Sequence, residues 1–275
     1  MKNSILILAL LIIFSIEGFG QQKPFYHLFK PVPKESLREM ETDRPDVTES
    51  PQTLDAGHFQ FETDLMRFQR ENREEGRSDE YLFNQANIKL GLAHSTAIQL
   101  TFESYVVQKD FDSEGRVERS TGFGDITLRL KQNILGNDKG NFAIALLPYL
   151  KFPTSHANQE SRYEGGIIIP MSIKLGNEWK LGFQVEADRL QDEEGSGHHN
   201  ELVQTLTVLH PLTKKLDGII ETYYTYEFKD AHLKNFLNAA LQYEVSKDFL
   251  IDGGLNYGVQ HDARRSCFVG LSFRL

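Results

Sequence analysis

From residue 57 to the end of the chain, apolar and polar residues take turns. The clearest run is 179–190. Trp179, Leu181, Phe183, Val185 and Ala187 fall on one side, with Lys180, Gly182, Gln184, Glu186 and Asp188 on the other. A period of two belongs to a strand with one greasy face and one wet face. Eleven further runs read the same way: 57–69, 81–92, 96–108, 122–135, 141–152, 164–175, 201–212, 218–228, 235–245, 249–259 and 267–275. Pro148 and Pro170 fall inside two of them, where a bulge or a weakened ladder is expected. The phase of 201–212 is ambiguous.

These runs exceed the ~5–6 residues of an ordinary globular strand and suit the ~9–11 of a tilted membrane strand. Their connections alternate in length. Tight turns stand at 93–95, 136–140, 176–178, 213–215 and 247–248, and longer charged loops at 71–80, 110–121, 153–163, 191–200, 229–234 and 260–266. Short turns on one rim and long loops on the other mark an outer-membrane barrel. A soluble sandwich or lipocalin-like barrel gives no reason for that alternation. The expected fold is all-β, a transmembrane antiparallel β-barrel of about 12 strands with short periplasmic turns and longer extracellular loops. Aromatic residues near strand ends (Tyr81, Tyr105, Phe123, Tyr149, Phe152, Tyr163, Trp179, Tyr243, Phe249 and Tyr257) fit an interfacial girdle.

The final run places Val269, Leu271, Phe273 and Leu275 on one face and Gly270, Ser272 and Arg274 on the other. An uncovered apolar strand at a chain end is a hazard in a soluble protein. In a barrel it is the closing strand, and it is expected to engage the barrel-assembly machinery. Leu275 holds the place where terminal Phe is commonest.

The other end reads as a secretory signal. Lys2 precedes an apolar stretch at 5–16, and Gly18-Phe19-Gly20 offers small residues for cleavage. The stretch is too short to span a bilayer, which takes roughly 20 residues. The expected division is 1–20 signal peptide, 21–56 an irregular N-terminal segment and 57–275 the barrel. Pro24, Pro31, Pro33, Pro45 and Pro51 break regular structure in 21–56, leaving room for one or two helical turns at 34–40.

The formal net charge of the 275-residue chain is −9. That argues against nucleic acid as a partner. The mean hydropathy is −0.41. A polar average does not argue against a barrel, because only alternate strand residues meet lipid. Cys267 is the one cysteine, so no disulfide forms within the chain.

The stretch Thr42-Asp43-Arg44-Pro45-Asp46-Val47-Thr48-Glu49-Ser50-Pro51, followed by Gly57-His58-Phe59-Gln60-Phe61-Glu62, resembles the outer-membrane "MetA-pathway of phenol degradation" family. In that family a similar stretch precedes the first strand, and the spread of strands extends the resemblance over nearly all of the mature chain. The resemblance implies an outer-membrane barrel that takes up small solutes, including hydrophobic or aromatic compounds.

Asp, Thr and Ser beside Pro build turns. Asp43, Arg44, Asp46 and Glu49 are candidate plug residues, their charges available to the lumen. Two readings stand: 40–56 plugs the periplasmic mouth, or it is a structured lead-in to the first strand. The strand phases give Glu62, Asp64, Lys89, Glu103, Arg129, Lys131, Lys174, Glu186, Asp188, Glu221 and Glu244 as candidate lumen-lining residues. Mixed signs suggest ion pairs and a restricted lumen, since a barrel of this size is narrower than open 16–18-stranded porins.

No spacing marks a catalytic set. His58, His94 and His210 combine with several serines at will, and no nucleophile elbow is present. A loop at 193–199 carries Glu and His, but without the fixed spacing of a metal site. No catalytic residue, metal or cofactor is expected. The first function is a channel or transporter for small solutes, in contact with the lipid bilayer of the outer membrane. The alternatives are a structural or adhesion barrel and, behind it, a lipid hydrolase.

Overall fold

The computed structural model describes residues 25–73, 76–157, 160–192 and 197–275. The signal-peptide reading lies outside the described residues. Thirteen strand segments form one antiparallel sheet: β1 Phe59–Arg73, β2 Gly76–Ala93, β3 Thr96–Asp112, β4 Val117–Gly122, β5 Ile126–Leu135, β6 Phe142–Phe152, β7 Glu164–Lys174, β8 Lys180–Gln191, β9 His198–Thr213, β10 Leu216–Glu227, β11 His232–Ser246, β12 Phe249–Gly258 and β13 Arg265–Arg274. β13 pairs back onto β1, so the sheet closes. β4 and β5 both pair with β3 and form a single stave of a twelve-strand barrel. Closure removes free edges and pairs the backbone polar groups, as a hydrocarbon solvent demands.

The alternation explains the wall. Ile220, Leu237, Leu255 and Val269 stand outward and exposed, while Glu62, Gln99, Lys131, Gln184 and Glu221 stand inward and buried. β9 resolves to inward Thr205 and Thr207, whose neighbours Leu206 and Leu212 are exposed outside.

Three expectations change. The loops at 71–80 and 110–121 are largely strand: β1 and β2 pair as far as Arg73 and Gly76, β2 pairs with β3 out to Asp112, and β4 pairs with β3 from Val117. β1, β2 and β3 exceed the ~9–11 residues needed to cross, so they stand above the membrane. The fourth run is broken between Gly122 and Ile126 instead of continuous. Tyr149 leaves the girdle, because its hydroxyl donates to Asp188 at 2.6 Å on the inner face.

Pro148 and Pro170 act where the missing donor requires. The β5–β6 ladder skips from Arg129↔Tyr149 to Gln132↔Leu146, and the β6–β7 ladder skips from Leu147↔Ile168 to Ile144↔Met171. The proline interruptions themselves add no residue, so the register holds across them.

The helical turn before the barrel is the short 3-10 segment Lys34–Ser36. His58 ties the closing seam to it. One ring nitrogen bonds the Leu275 carbonyl at 3.0 Å and the other the Val32 carbonyl at 2.7 Å.

Candidate functional site

Residues 38–55 run through the barrel interior beside the short-turn rim. Proline and the local hydrogen bonds keep them from forming a regular element: Thr42 Oγ1 donates to the Arg44 carbonyl at 2.7 Å, and Ser50 N donates to Asp43 Oδ1 at 3.0 Å. Their side chains reach walls on opposite sides of the lumen.

Asp43 is the central contact. Lys131 Nζ donates to its Oδ1 at 2.6 Å, and Lys89 Nζ stands 2.5 Å from its Oδ2. Lys89 also pairs with Glu62, and Lys131 donates to the Ser50 carbonyl at 2.7 Å. Burial alone would push the Asp43 carboxyl up. Lys131, Lys89 and Arg129 outweigh it and hold that group well below the usual carboxylate range.

Arg44 makes the second contact. It forks onto Asp252 at 2.6 and 3.2 Å and pairs with Asp64 at 2.5 Å. Bidentate geometry of this kind is the strong form of a charged hydrogen bond. Burial opposes the guanidinium charge, but Asp64 and Asp252 reverse the balance and raise its pKa. Phe268 faces inward under two arginines, with Arg44 at 5.5 Å and Arg67 at 4.5 Å from its ring centre.

The third contact reaches the far wall. Glu49 pairs with Arg129, and its backbone N–H donates to Gln184 Oε1 at 2.8 Å. Thr48 gives both its N–H and its hydroxyl to Glu221 Oε1, at 2.8 and 2.6 Å. Near the rim, Glu41 meets Lys180 at 2.5 Å and Arg38 meets Asp55 at 2.8 Å. Burial would push Glu41 up, yet Lys180 brings it below its ordinary value.

Asp46 behaves differently. Among the described residues it makes no direct ion pair, with Lys180 pulling on it only weakly, and it sits near Glu221, a charge of the same sign. Burial first, and Glu221 second, push its carboxyl up to about 8. Glu49 is also raised, since its burial outweighs the pull of Arg129.

The wall leaves space for this segment at two glycines. A Cβ on Gly91 would stand 2.1 Å from the Asp55 carbonyl oxygen, and one on Gly270 would stand 2.1 Å from Arg44 Nη2.

Of the candidate lumen residues, Glu62, Asp64, Lys89, Arg129, Lys131 and Glu221 contact residues 43–49. Lys174 and Glu244 line a cavity of about 860 Å³ at the short-turn rim, together with Asp46. Glu186 accepts from Gln184 at 2.8 Å, and Asp188 accepts from Tyr149. Glu103 is elsewhere. It lines a chamber of about 560 Å³ on the long-loop side, which no described residue of the N-terminal segment lines.

The sequence alone does not single out Thr48, Gln184, Asp252 or Asn238, whose side-chain amide donates to Glu221 Oε2 at 2.5 Å. Phase sets Asp252 on the polar face of its run with Gly254 and Asn256, but does not mark it as a partner of Arg44. Thr48 and the amides carry no charge pattern to draw notice.

The family model described as the "MetA-pathway of phenol degradation" matches residues 42–275. The chain belongs to this family. The family match begins at Thr42, one residue before Asp43, so it takes in the luminal contacts from Asp43 to Glu49 as well as the barrel. Among solved structures, an outer membrane channel from Pseudomonas putida F1 superposes with a TM-score of 0.60 at 11% identity, covering 86% of this chain and 100% of its own. The NanC porin superposes at 0.50 with 12% identity, covering 76% of this chain and 100% of its own. At these identities the likeness shows the fold, an outer-membrane-type barrel. No curated protein matches the chain.

Proposed function

We propose that this protein is an outer-membrane channel for small solutes and that residues 38–55 plug its lumen at rest. The observation that carries the reading is Asp43, held between Lys89 and Lys131. Walls that only need to stand would pair their charges with each other. Here Lys131, Arg129 and Asp252 turn their charges to a segment that belongs to no strand. That segment lines both cavities at the short-turn rim, of about 860 and 300 Å³.

Solutes enter from the long-loop chamber and leave past the displaced segment into the periplasm. The family description points to aromatic compounds as one cargo. Insertion into the bilayer proceeds through recognition of β13 by the assembly machinery, after export by a cleaved signal. The barrel similarities to a channel and a porin support the transport reading.

Single-channel recording on the full mature chain and on a variant lacking residues 38–54 tests both halves. The deletion should raise conductance severalfold. Equal conductance in the two proteins sinks the plug. A folded deletion variant that passes neither ions nor any solute in liposome swelling sinks the channel.

A further inference from the structure

The long-loop chamber differs in chemistry from the rest of the lumen. Its volume of about 560 Å³ falls within the range of small-molecule sites. Among the described residues, Val106 and Ala157 are its apolar lining, and no aromatic ring lines it. Around the short-turn half, three of the central carboxylates have a cation at hand: Asp43 has Lys131, Asp64 has Arg67, and Asp252 has Arg44. Glu80 on β2 and Glu103 on β3 have none within ion-pair reach among the described residues. Each takes one amide hydrogen, from Gln69 at 2.8 Å and from Gln85 at 3.1 Å. A carboxylate has room for several donors, so both keep acceptor capacity toward the chamber.

The other sign lies next along the wall. Arg67 on β1 gives its Nε to Asp64 at 2.6 Å, and Arg264, between β12 and β13, gives one Nη2 hydrogen to Glu71 at 3.1 Å. Each guanidinium has five donors in all. Going round the barrel from β13 through β1 and β2 to β3, the lining passes from two arginines to two unpaired glutamates. Beyond β3 the lining also holds Asp125 and Lys151, and Lys151 is met by Glu164 at 2.5 Å and Asp125 at 3.6 Å. One cavity thus carries a side with two arginines and a side with two carboxylates that lack an ion-pair partner among the described residues.

We propose that this chamber binds small solutes carrying both an ammonium and a carboxylate, with the ammonium on Glu80 and Glu103 and the carboxylate on Arg67 and Arg264. Such a zwitterion gains at both ends of the field. An ion of a single sign gains at one end and loses hydration without return at the other. An uncharged aromatic solute gains at neither and finds no ring to stack on. The proposal rests on the channel reading and names its cargo class, one that the family description does not contain.

Calorimetric titration of the refolded full mature chain in detergent tests it. The probes are 4-aminobutyrate, butyrate, butylammonium and phenol. 4-Aminobutyrate should bind at least tenfold more tightly than each of the others. Glu103→Gln and Arg264→Gln should each weaken it tenfold or more. Heat-modifiable gel mobility verifies folding, and Glu80→Gln serves if Glu103→Gln misfolds. Equal affinity for butylammonium, tighter binding of phenol, or no heat with 4-aminobutyrate overturns the site. Liposome swelling separates the two readings. Selective binding without passage of any solute defeats the channel and leaves the site, whereas passage without selective binding defeats the site and leaves the channel.

Discussion

Lys131 on β5 and Asp43 on the N-terminal segment meet at 2.6 Å, both buried, although 88 residues separate them in the chain. Neither group is tolerable there alone. Removing one member of a buried pair costs about 3–5 kcal/mol, because the other charge stays buried and uncompensated. Asp43→Asn takes one carboxylate from two buried ammonium groups, leaving Lys89 with Glu62 and Lys131 with Glu49 at 3.4 Å. The substitution is expected to release the segment and bring single-channel conductance close to that of the 38–54 deletion, while the barrel keeps its heat-modifiable mobility. Unchanged conductance would show that the other contacts hold the segment without Asp43.

The barrel was legible in the sequence because lipid and water sort residues with a strict period of two. Phase set the inward side of β8 and β10 residue by residue, from Lys180 to Asp188 and from Glu221 to Glu227. The same rule lost its grip where lipid stops. Residues 71–80 read as a charged loop because both faces of a strand above the membrane meet water, so alternation vanishes although the ladder continues. Asp43, Arg44 and Glu49 were visible as charges in a turn-building stretch. Their partners were not, because Lys131, Arg129 and Asp252 become neighbours of the segment only after the sheet has closed. Asp46 was grouped with them from its charge. The fold sets it beside Glu221, which no local pattern reveals.

That placement gives a pH dependence with a definite sign. Burial and Glu221 on β10 raise docked Asp46 to about 8 from an ordinary 3.8, against a smaller opposing pull from Lys180 on β8 and a hydrogen bond from Thr207 on β9. The docked state therefore binds this proton more tightly than the released state. Its contribution to docking is full below about 3.8 and is lost as pH rises through about 8. Glu49, also raised, acts in the same direction. Asp43 acts in the opposite one: its docked pKa is depressed, so its contribution is present above 3.8 and fades as pH falls below that. Between pH 5 and 9 the Asp46 effect governs, and the open fraction of single channels should increase with pH. Asp46→Asn should flatten that rise. A rise that persists in the variant would assign it to another group.

Gly91 offers a test by space instead of charge. Its missing side chain lets the Asp55 backbone lie against β2, and the nearest atom to a Cβ there is a carbonyl oxygen that cannot swing aside. Gly91→Val should push residues 54–56 off the wall and disturb the Arg38–Asp55 pair. Trypsin cleavage after Arg38 in the folded protein reads the displacement, since Pro45 bars cleavage after Arg44. The variant should be cut at least tenfold faster than the wild type, with the barrel intact on gels. Equal rates would mean that the segment shifts as a unit without exposure.

The closing seam makes the last demand. β13 pairs with β1 from Arg265↔Arg70 to Arg274↔Gln60, and the Leu275 N–H donates to the Phe59 carbonyl at 2.9 Å. Phe273 packs on Phe61 with ring centres 5.3 Å apart, outside the wall where lipid would otherwise reach the seam. Removing Phe273-Arg274-Leu275 takes away the pairs at the periplasmic end and frees backbone groups of β1 and β12 at a membrane edge. In hydrocarbon each unpaired group costs several kcal/mol, so the loss is not spread over the barrel but falls on its one non-sequential joint. It also takes away Arg274, whose Nη1 donates to the Arg38 carbonyl at 2.8 Å and so couples closure to the plug. The truncated chain should give no heat-modifiable band after refolding. Phe273→Ala should keep closure, because its backbone still pairs, but at a cost of about 3–5 kcal/mol if the ring is fully covered, and less to the extent that lipid replaces the lost contacts. Denaturant unfolding in detergent separates these outcomes. A truncated chain that folds with wild-type midpoint would show that the barrel closes without its final pairs.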